Sequence, residues 1–471
     1  MAAIMYGETI LVELWWEILL RVPTKDAARS CCVSKQWRDI VKDPSFQKRH
    51  HDRHVVSPPK DDDIPDTLVV VRCDIDGEYV SSVYPAALVS PSFTGQMPMC
   101  RINNPHSYTL ANVCNGFLCF ASWNRAKVIV CNPVTGEKLS LPKAPPLVID
   151  ERRCRTRIVT FALGFSPTTG AYKLFRFADR RMDVYTLGET SGWRRNPISH
   201  PCRVVHNTPT VVVGGKICML TPGHVLHRHP FDLGKPGPVL VVDVASEEHR
   251  VYNPSDYGCP WDNVRVSVCA FELHGSLCLA VRTDTEIQFW AVPVQENDEG
   301  LPWQMLYKLK VDMHDVLIGN NLDTQKVQST SAWLDNETHT LCYRVCNRFY
   351  SKYVGTTMTT TSAATRCLSP AEVMTWDNKI RIQSIPSSLL ACEWDVYAGY
   401  RPNLLSPLTF SVQQDNEDDE SGSFTRNLLC TRRHLKSKKT PHVSDINRLY
   451  QWQESVLWKS MHMLMSFANA R

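Results

Sequence analysis

The sequence predicts an α+β multidomain chain. Three short helices open it, a mostly β domain arranged as an irregular β-propeller follows, and an amphipathic helix closes it. Three observations carry this reading. Apolar residues fall at helical spacing between Leu11 and Val41. Short apolar strands, each led by a glycine, recur through the middle of the chain. Helical spacing then returns from Ile446 to Leu464, beyond a charged stretch. The expected units are residues 1–55 for the helices, 56–65 for a linker, 66–412 for the β domain, 413–440 for a charged disordered segment and 441–471 for the last helix.

In the first helix Leu14, Ile18 and Val22 repeat at i, i+4 and i+8, with Leu11 and Leu19 beside them. Glu13, Glu17 and Arg21 take the other side. The two glutamates rule out a secretory or membrane reading, because a spanning helix needs ~20 mostly apolar residues. Pro23 stops the helix, since the residue before a proline avoids helical backbone. Thr24 is expected to cap a second helix, with Asp26 favourable near its positive end. That helix carries Ala27, Ala28, Cys31 and Cys32. A third pattern holds Val33, Trp37, Ile40 and Val41, and Pro44 marks its end. So small a core is marginal alone, and a partner helix is expected to complete it.

These residues resemble a known module. Leu11, Glu13-Leu14, Glu17-Ile18-Leu19, Arg21-Val22-Pro23, Lys25-Asp26, Arg29, Cys32-Val33-Ser34-Lys35, Trp37-Arg38 and Asp43-Pro44-Ser45-Phe46 are similar in order and spacing to the F-box. Two departures stand out. Val12 replaces the usual proline, and Trp15 and Trp16 stand where a leucine and a polar residue are usual. The resemblance implies that Leu11, Leu14, Ile18, Leu19, Pro23, Val33 and Trp37 bind a Skp-type adaptor. Through it the chain would join a cullin–RING ubiquitin ligase, in the nucleus or the cytoplasm, without catalysing anything itself.

The β region carries a loose internal repeat. Gly116-Phe117-Leu118-Cys119, Gly215-Lys216-Ile217-Cys218 and Gly275-Ser276-Leu277-Cys278 share one pattern, and Gly170-Ala171-Tyr172-Lys173 is a looser member. The glycines recur at intervals of roughly 45–60 residues, near the period of propeller blades. A glycine before each strand suits a turn that needs positive φ. Paired β-sandwiches are the alternative, since they also use short regular strands. The stretch from Leu110 to Pro197, with Val128-Ile129-Val130-Cys131-Asn132-Pro133 and Phe161-Ala162-Leu163-Gly164-Phe165-Ser166, resembles the F-box-associated region of plant F-box proteins. That resemblance implies a kelch-like or propeller-like ring whose loops hold a protein client.

Composition narrows the function. The net charge of +4 gives no general case for nucleic acid. The 18 cysteines contain no Cys-x-x-Cys pair, so small buried hydrophobes are expected rather than zinc ligands or disulfides. His50, His51 and His54 precede Pro58-Pro59 and three aspartates and read as part of a solvated linker. His224, His227 and His229 read as a loop of the ring. Arg152, Arg153, Arg155 and Arg157 form a dense basic cluster. It reads either as a solvated loop or as a receptor for an acidic or phosphorylated client, because guanidinium forks bind carboxylate and phosphate. The run from Arg432 to Lys439 reads as a solvated tail or a nuclear import signal. Asp74-Ile75-Asp76-Gly77 reads as a hairpin turn. No hydrolase elbow, phosphate loop or Rossmann fingerprint occurs, and no cofactor or metal is expected. The expectation is thus a substrate-recognition subunit. The alternatives are a propeller scaffold outside any ligase, or a propeller enzyme.

Overall fold

The computed structural model describes residues 12–56, the strands between Asp66 and Tyr400 with some of their connections, residues 401–411, and a strand at 424–426. The linker residues 57–65, the arginine cluster, His224 to His229, the basic run after Arg432 and the expected C-terminal helix lie outside the described residues.

The N-terminal module has four helices: α1 (residues 12–19), α2 (Thr24–Ser30), α3 (Lys35–Lys42) and α4 (Pro44–His51). A π-turn over Asp52–Val56 follows. Two expectations are corrected here. Thr24 is the first residue of α2 and makes no side-chain cap, because Pro23 occupies the capping position. Pro44 does not only end α3 but starts α4, where its missing N–H would be unpaired in any case. Asp43 caps that helix, its Oδ1 accepting from the Ser45 N–H at 2.8 Å.

The β domain is six antiparallel sheets. The first holds β1 (Asp66–Ile75), β2 (Glu78–Pro85) and β3 (Cys100–Asn103). The second is β4 (Tyr108–Cys114), β5 (Phe117–Ser122), β6 (Lys127–Asn132) and β7 (Glu137–Ser140). The third is β8 (Val159–Ser166), β9 (Ala171–Ala178), β10 (Arg181–Thr186) and β11 (Arg194–Pro197). The fourth is β12 (Val211–Val213), β13 (Lys216–Pro222), β14 (Pro236–Asp243) and β15 (His249–Tyr252). The fifth is β16 (Ser267–Leu273), β17 (Ser276–Arg282), β18 (Glu286–Val292) and β19 (Gln304–Lys310). The sixth is β20 (Thr330–Asp335), β21 (Thr340–Val345), β22 (Arg348–Tyr353) and β23 (Arg381–Ser384). The second to sixth are four-stranded meanders, as a propeller blade requires, and the first gains strands from the end of the chain.

The last inner strand, β24 (Glu393–Tyr400), returns to pair with β1, Leu68 opposite Tyr397. Neighbouring sheets touch all the way round, inner strand to inner strand except that β8 meets β13 between the third and fourth, so the ring is closed. A strand β25 (Phe424–Arg426) adds to the outer edge of the first blade beside β3. It lies inside the stretch expected to be disordered, which is therefore corrected at those residues.

The glycine–cysteine repeat now has a physical cause. Gly116, Gly170, Gly215 and Gly275 all have positive φ, at the turn from each inner strand to the next. Asn115, at φ 47°, joins Gly116 in the two-residue turn between β4 and β5. The second strands of the second and fifth blades, β5 and β17, are then sandwiched between two neighbouring blades. In β5, Phe117 and Cys119 face the third blade while Leu118 and Phe120 face the first. In β17, Leu277 and Leu279 face one neighbour and Cys278 the other. Both faces are buried, so these strands read as continuous apolar runs rather than as alternation. The cysteines fill these seams as small hydrophobes. Burial pushes the Cys119 and Cys218 thiols up to about 12.

One blade seam is stitched by a side chain. Asn112 of β4 is fully buried and pairs with Leu163 of β8 as a strand would. Its Nδ2 donates to the Leu163 carbonyl at 2.8 Å and its Oδ1 accepts from the Leu163 N–H at 2.9 Å. Both partners are thereby satisfied where neither could reach water.

Candidate partner-binding surface

The module's core shows which apolar residues are free for a partner. Leu19, Leu20, Ala27, Ala28, Trp37, Ile40, Val41 and Phe46 pack together. Trp15 lies half-buried on Trp37, ring centroids 4.7 Å apart, and Trp16 meets Phe46 edge-on at 5.2 Å. The two tryptophans are therefore core filling at the module's rim. The Ser34 hydroxyl caps α3 by accepting from the Trp37 N–H at 3.0 Å.

The residues expected to bind an adaptor divide between surface and core. Leu14 is 44% exposed and Val33 38% exposed, Pro23 is exposed, and Ile18 is half-buried one turn after Leu14. Leu19 and Trp37 are core residues that shape this surface from beneath. Leu11 lies outside the described residues. The apolar face read through Leu14 and Ile18 is thus left largely open, because Leu19 and Leu20 take the buried place. Val12, where the motif departs from the usual proline, is 37% exposed. Of the five large apolar side chains standing exposed among the described residues, Val12, Leu14 and Val33 are on this module. Folding leaves these three side chains uncovered.

The module is also fixed to the ring. Val134, from the turn after β6, and Leu404 complete its core, so the ring supplies what a partner helix was expected to supply. His51 and Tyr172 share a hydrogen bond between Nε2 and the phenol oxygen at 3.1 Å. The Ser406 N–H donates to the Gln47 side-chain oxygen at 3.3 Å. Lys25 and Asp66 form a half-exposed ion pair at 2.6 Å, which contributes little by itself. His50 donates from Nε2 to the Val22 carbonyl at 3.0 Å, His54 does so to Leu20 at 2.9 Å, and the two rings stack. Of the histidines read as a solvated linker, His51 thus belongs to the joint with the ring, while His50 and His54 bond and stack within the module, and His50 and His51 are 0% and 3% exposed. Burial, reinforced by the neighbouring charges of His54, His51 and Arg53, holds His50 at about 3. Burial alone holds His51 at about 4. The helix that carries them was legible locally: Asp43-Pro44 starts it, and Phe46 and His50 then fall on one side of it.

The helices cover the face of the ring that carries the Asn115-Gly116 turn and the turn after Asn132. Strand direction therefore puts the ends of the longer connections, such as 141–159 and 222–236, on the opposite face. Among the described residues no three His, Cys, Asp or Glu side chains gather as a metal would need. No helix among them is long and apolar enough to cross a membrane.

Comparison with known proteins agrees with this geometry. Residues 12–49 match the F-box domain, and residues 75–363 match the F-box associated beta propeller domain. The F-box protein At3g49450 of Arabidopsis thaliana is 30% identical over 209 residues, covering 39% of this chain and 47% of that protein. The F-box protein At1g53790 of the same plant is 31% identical over 252 residues, covering 52% of this chain and 53% of that protein. The chain spans about half the length of the curated relatives it matches. Likeness to solved structures is faint: Hsv2 of Kluyvelomyces marxianus aligns at 10% identity over 64% of this chain and 77% of that one, with a TM-score of 0.31. The six-bladed description therefore rests on this chain's own strand pairing. With a four-helix module matching the F-box and more than half its length matching the ring that accompanies it, the chain belongs to the F-box proteins with an F-box associated β-propeller domain.

Proposed function

We propose that this chain is the substrate-recognition subunit of an SCF-type cullin–RING ubiquitin ligase. Its helical module takes a Skp-type adaptor and its propeller takes a protein client, so that other subunits perform the chemistry. The observation that carries this is the exposure of Leu14 and Val33 on a module whose own core is already complete. On this reading the chain works in the nucleus or the cytoplasm, where such ligases act.

Changing Leu14 and Val33 to Asp tests the adaptor half. Neither side chain is buried, so helix content should be unchanged while co-purification of a Skp-type adaptor is lost. Full adaptor recovery by the double variant would refute the assignment. Leu19→Ala and Trp37→Ala cannot make the same distinction, because they remove core side chains and unfold the module.

The client half uses the face opposite the helices. The cluster at Arg152, Arg153, Arg155 and Arg157 belongs to the connection between Leu141 and Val159, whose strand ends both open on that face. Replacing the four arginines with Gln should release an acidic or phosphorylated client and leave adaptor binding intact. Binding by the wild-type chain should also weaken as salt rises, since exposed charges are screened beyond ~8 Å at physiological ionic strength. A client held equally well by the Gln variant would remove the arginines from the site.

A further inference from the structure

We infer that residues 401–411 are a positioning strap that ties closure of the ring to the orientation of the helical module. The tie is read from contacts alone. Its consequence, that the adaptor surface keeps one attitude toward the client face, rests on the function proposed above.

After β24 closes the ring, the chain stays wedged between the ring and the helices. The Arg401 carbonyl lies so close over Gly116 that a Cβ there would run into it. The Arg401 guanidinium reaches across to Glu272 of the fifth blade at 2.8 Å. Asn403 is fully buried. Its Nδ2 donates to the Asn115 carbonyl, and its Oδ1 accepts from Asn132 Nδ2 at 2.6 Å. Asn132 Nδ2 also donates to the Leu405 carbonyl at 2.8 Å. Two turns of the second blade thus grip the strap through buried, mutually satisfied amides, the arrangement that resists local opening.

The next two side chains part company. Leu404 enters the helical core, while Leu405 enters the seam between the second and third blades. Ser406 then bonds Gln47 of α4. Phe410 packs on Tyr172, ring centroids 5.4 Å apart, and Tyr172 is the residue that holds His51. A freely jointed linker would make none of these contacts.

Amide hydrogen exchange on the full chain tests the strap from its ring end. Gly116→Ala touches no helix, yet it should lift Arg401 and loosen Asn403. Exchange in 403–406 and in α4 should then rise by about tenfold or more, while β13 and β17, on distant blades, keep their protection. Should Gly116→Ala fail to fold, Asn403→Ala makes the same cut without straining the turn. Unchanged protection of α4 alongside an opened strap would overturn the inference, and so would a strap that stays protected in both variants. Adaptor capture by the wild-type chain is measured in parallel. Its absence would defeat the proposed function while leaving the exchange result to decide the strap.

Discussion

Replacing Asp183 with Ala is expected to destabilise the propeller by about 3–5 kcal/mol, because it strands a buried guanidinium. Arg176 in β9 and Asp183 in β10 are directly paired across the strands, each 1% exposed. Asp183 Oδ2 accepts from Arg176 Nε at 2.9 Å and also from Nη2. Arg176 Nη1 donates to the Pro145 carbonyl at 2.6 Å, and the guanidinium lies 5.8 Å from the ring centre of Trp193. Every element around the cation is therefore built for a paired charge. Thermal or urea unfolding followed by tryptophan fluorescence would show the loss. The double change of Arg176→Met with Asp183→Leu should recover much of it, since an apolar pair of similar volume carries no desolvation penalty. An Asp183→Ala variant within about 1 kcal/mol of wild type would show that the pair contributes no more than an ordinary surface contact.

Acid should loosen the helical module, through His50, and its hold on the ring, through His51, well before the ring itself fails. His50 and His51 titrate at about 3 and about 4 in the folded chain, below their ordinary value of 6.5. The unfolded or undocked chain therefore binds protons first. The docked state has its full stability above about pH 6.5 and loses it as pH falls toward 4. At pH 5 each histidine should remove about 2 kcal/mol, from 1.36 kcal/mol per unit of separation. Exchange of the α4 amides, corrected for the intrinsic pH dependence, should rise steeply between pH 6.5 and 5. Replacing His50 and His51 with Phe should flatten that dependence. Imidazole signals titrating near 6.5 in the intact chain would contradict the burial on which the expectation rests.

The two predictions differ in how far the sequence announced them. Arg176 and Asp183 sit in strands whose apolar runs were legible, yet a charge inside such a run does not reveal its partner. The histidines were misread outright. Next to prolines and aspartates, His50 and His51 looked solvated, and local composition carries no information about what packs from outside. What covers His51 is Tyr172, on the third blade, far along the chain, and His50 is held by Val22 at the other end of the module.

What the sequence determined by itself is what depends on near neighbours. The glycine at each inner turn needs positive φ, the strand after it needs small and large apolar residues together, and both demands are written within a few residues. The helices of the module were legible for the same reason, and so was the likeness to the F-box. Tertiary structure alone decided the rest. Periodicity says which side chains share a face but not whether that face is covered, so Leu14 could not be separated from Leu19 until the chain folded. Ring closure joins Leu68 to Tyr397, and the strap's grip joins Asn132 to Asn403. Such pairings between segments far apart in the chain leave no periodic trace, because a buried amide needs only one correctly placed partner and any part of the chain can supply it.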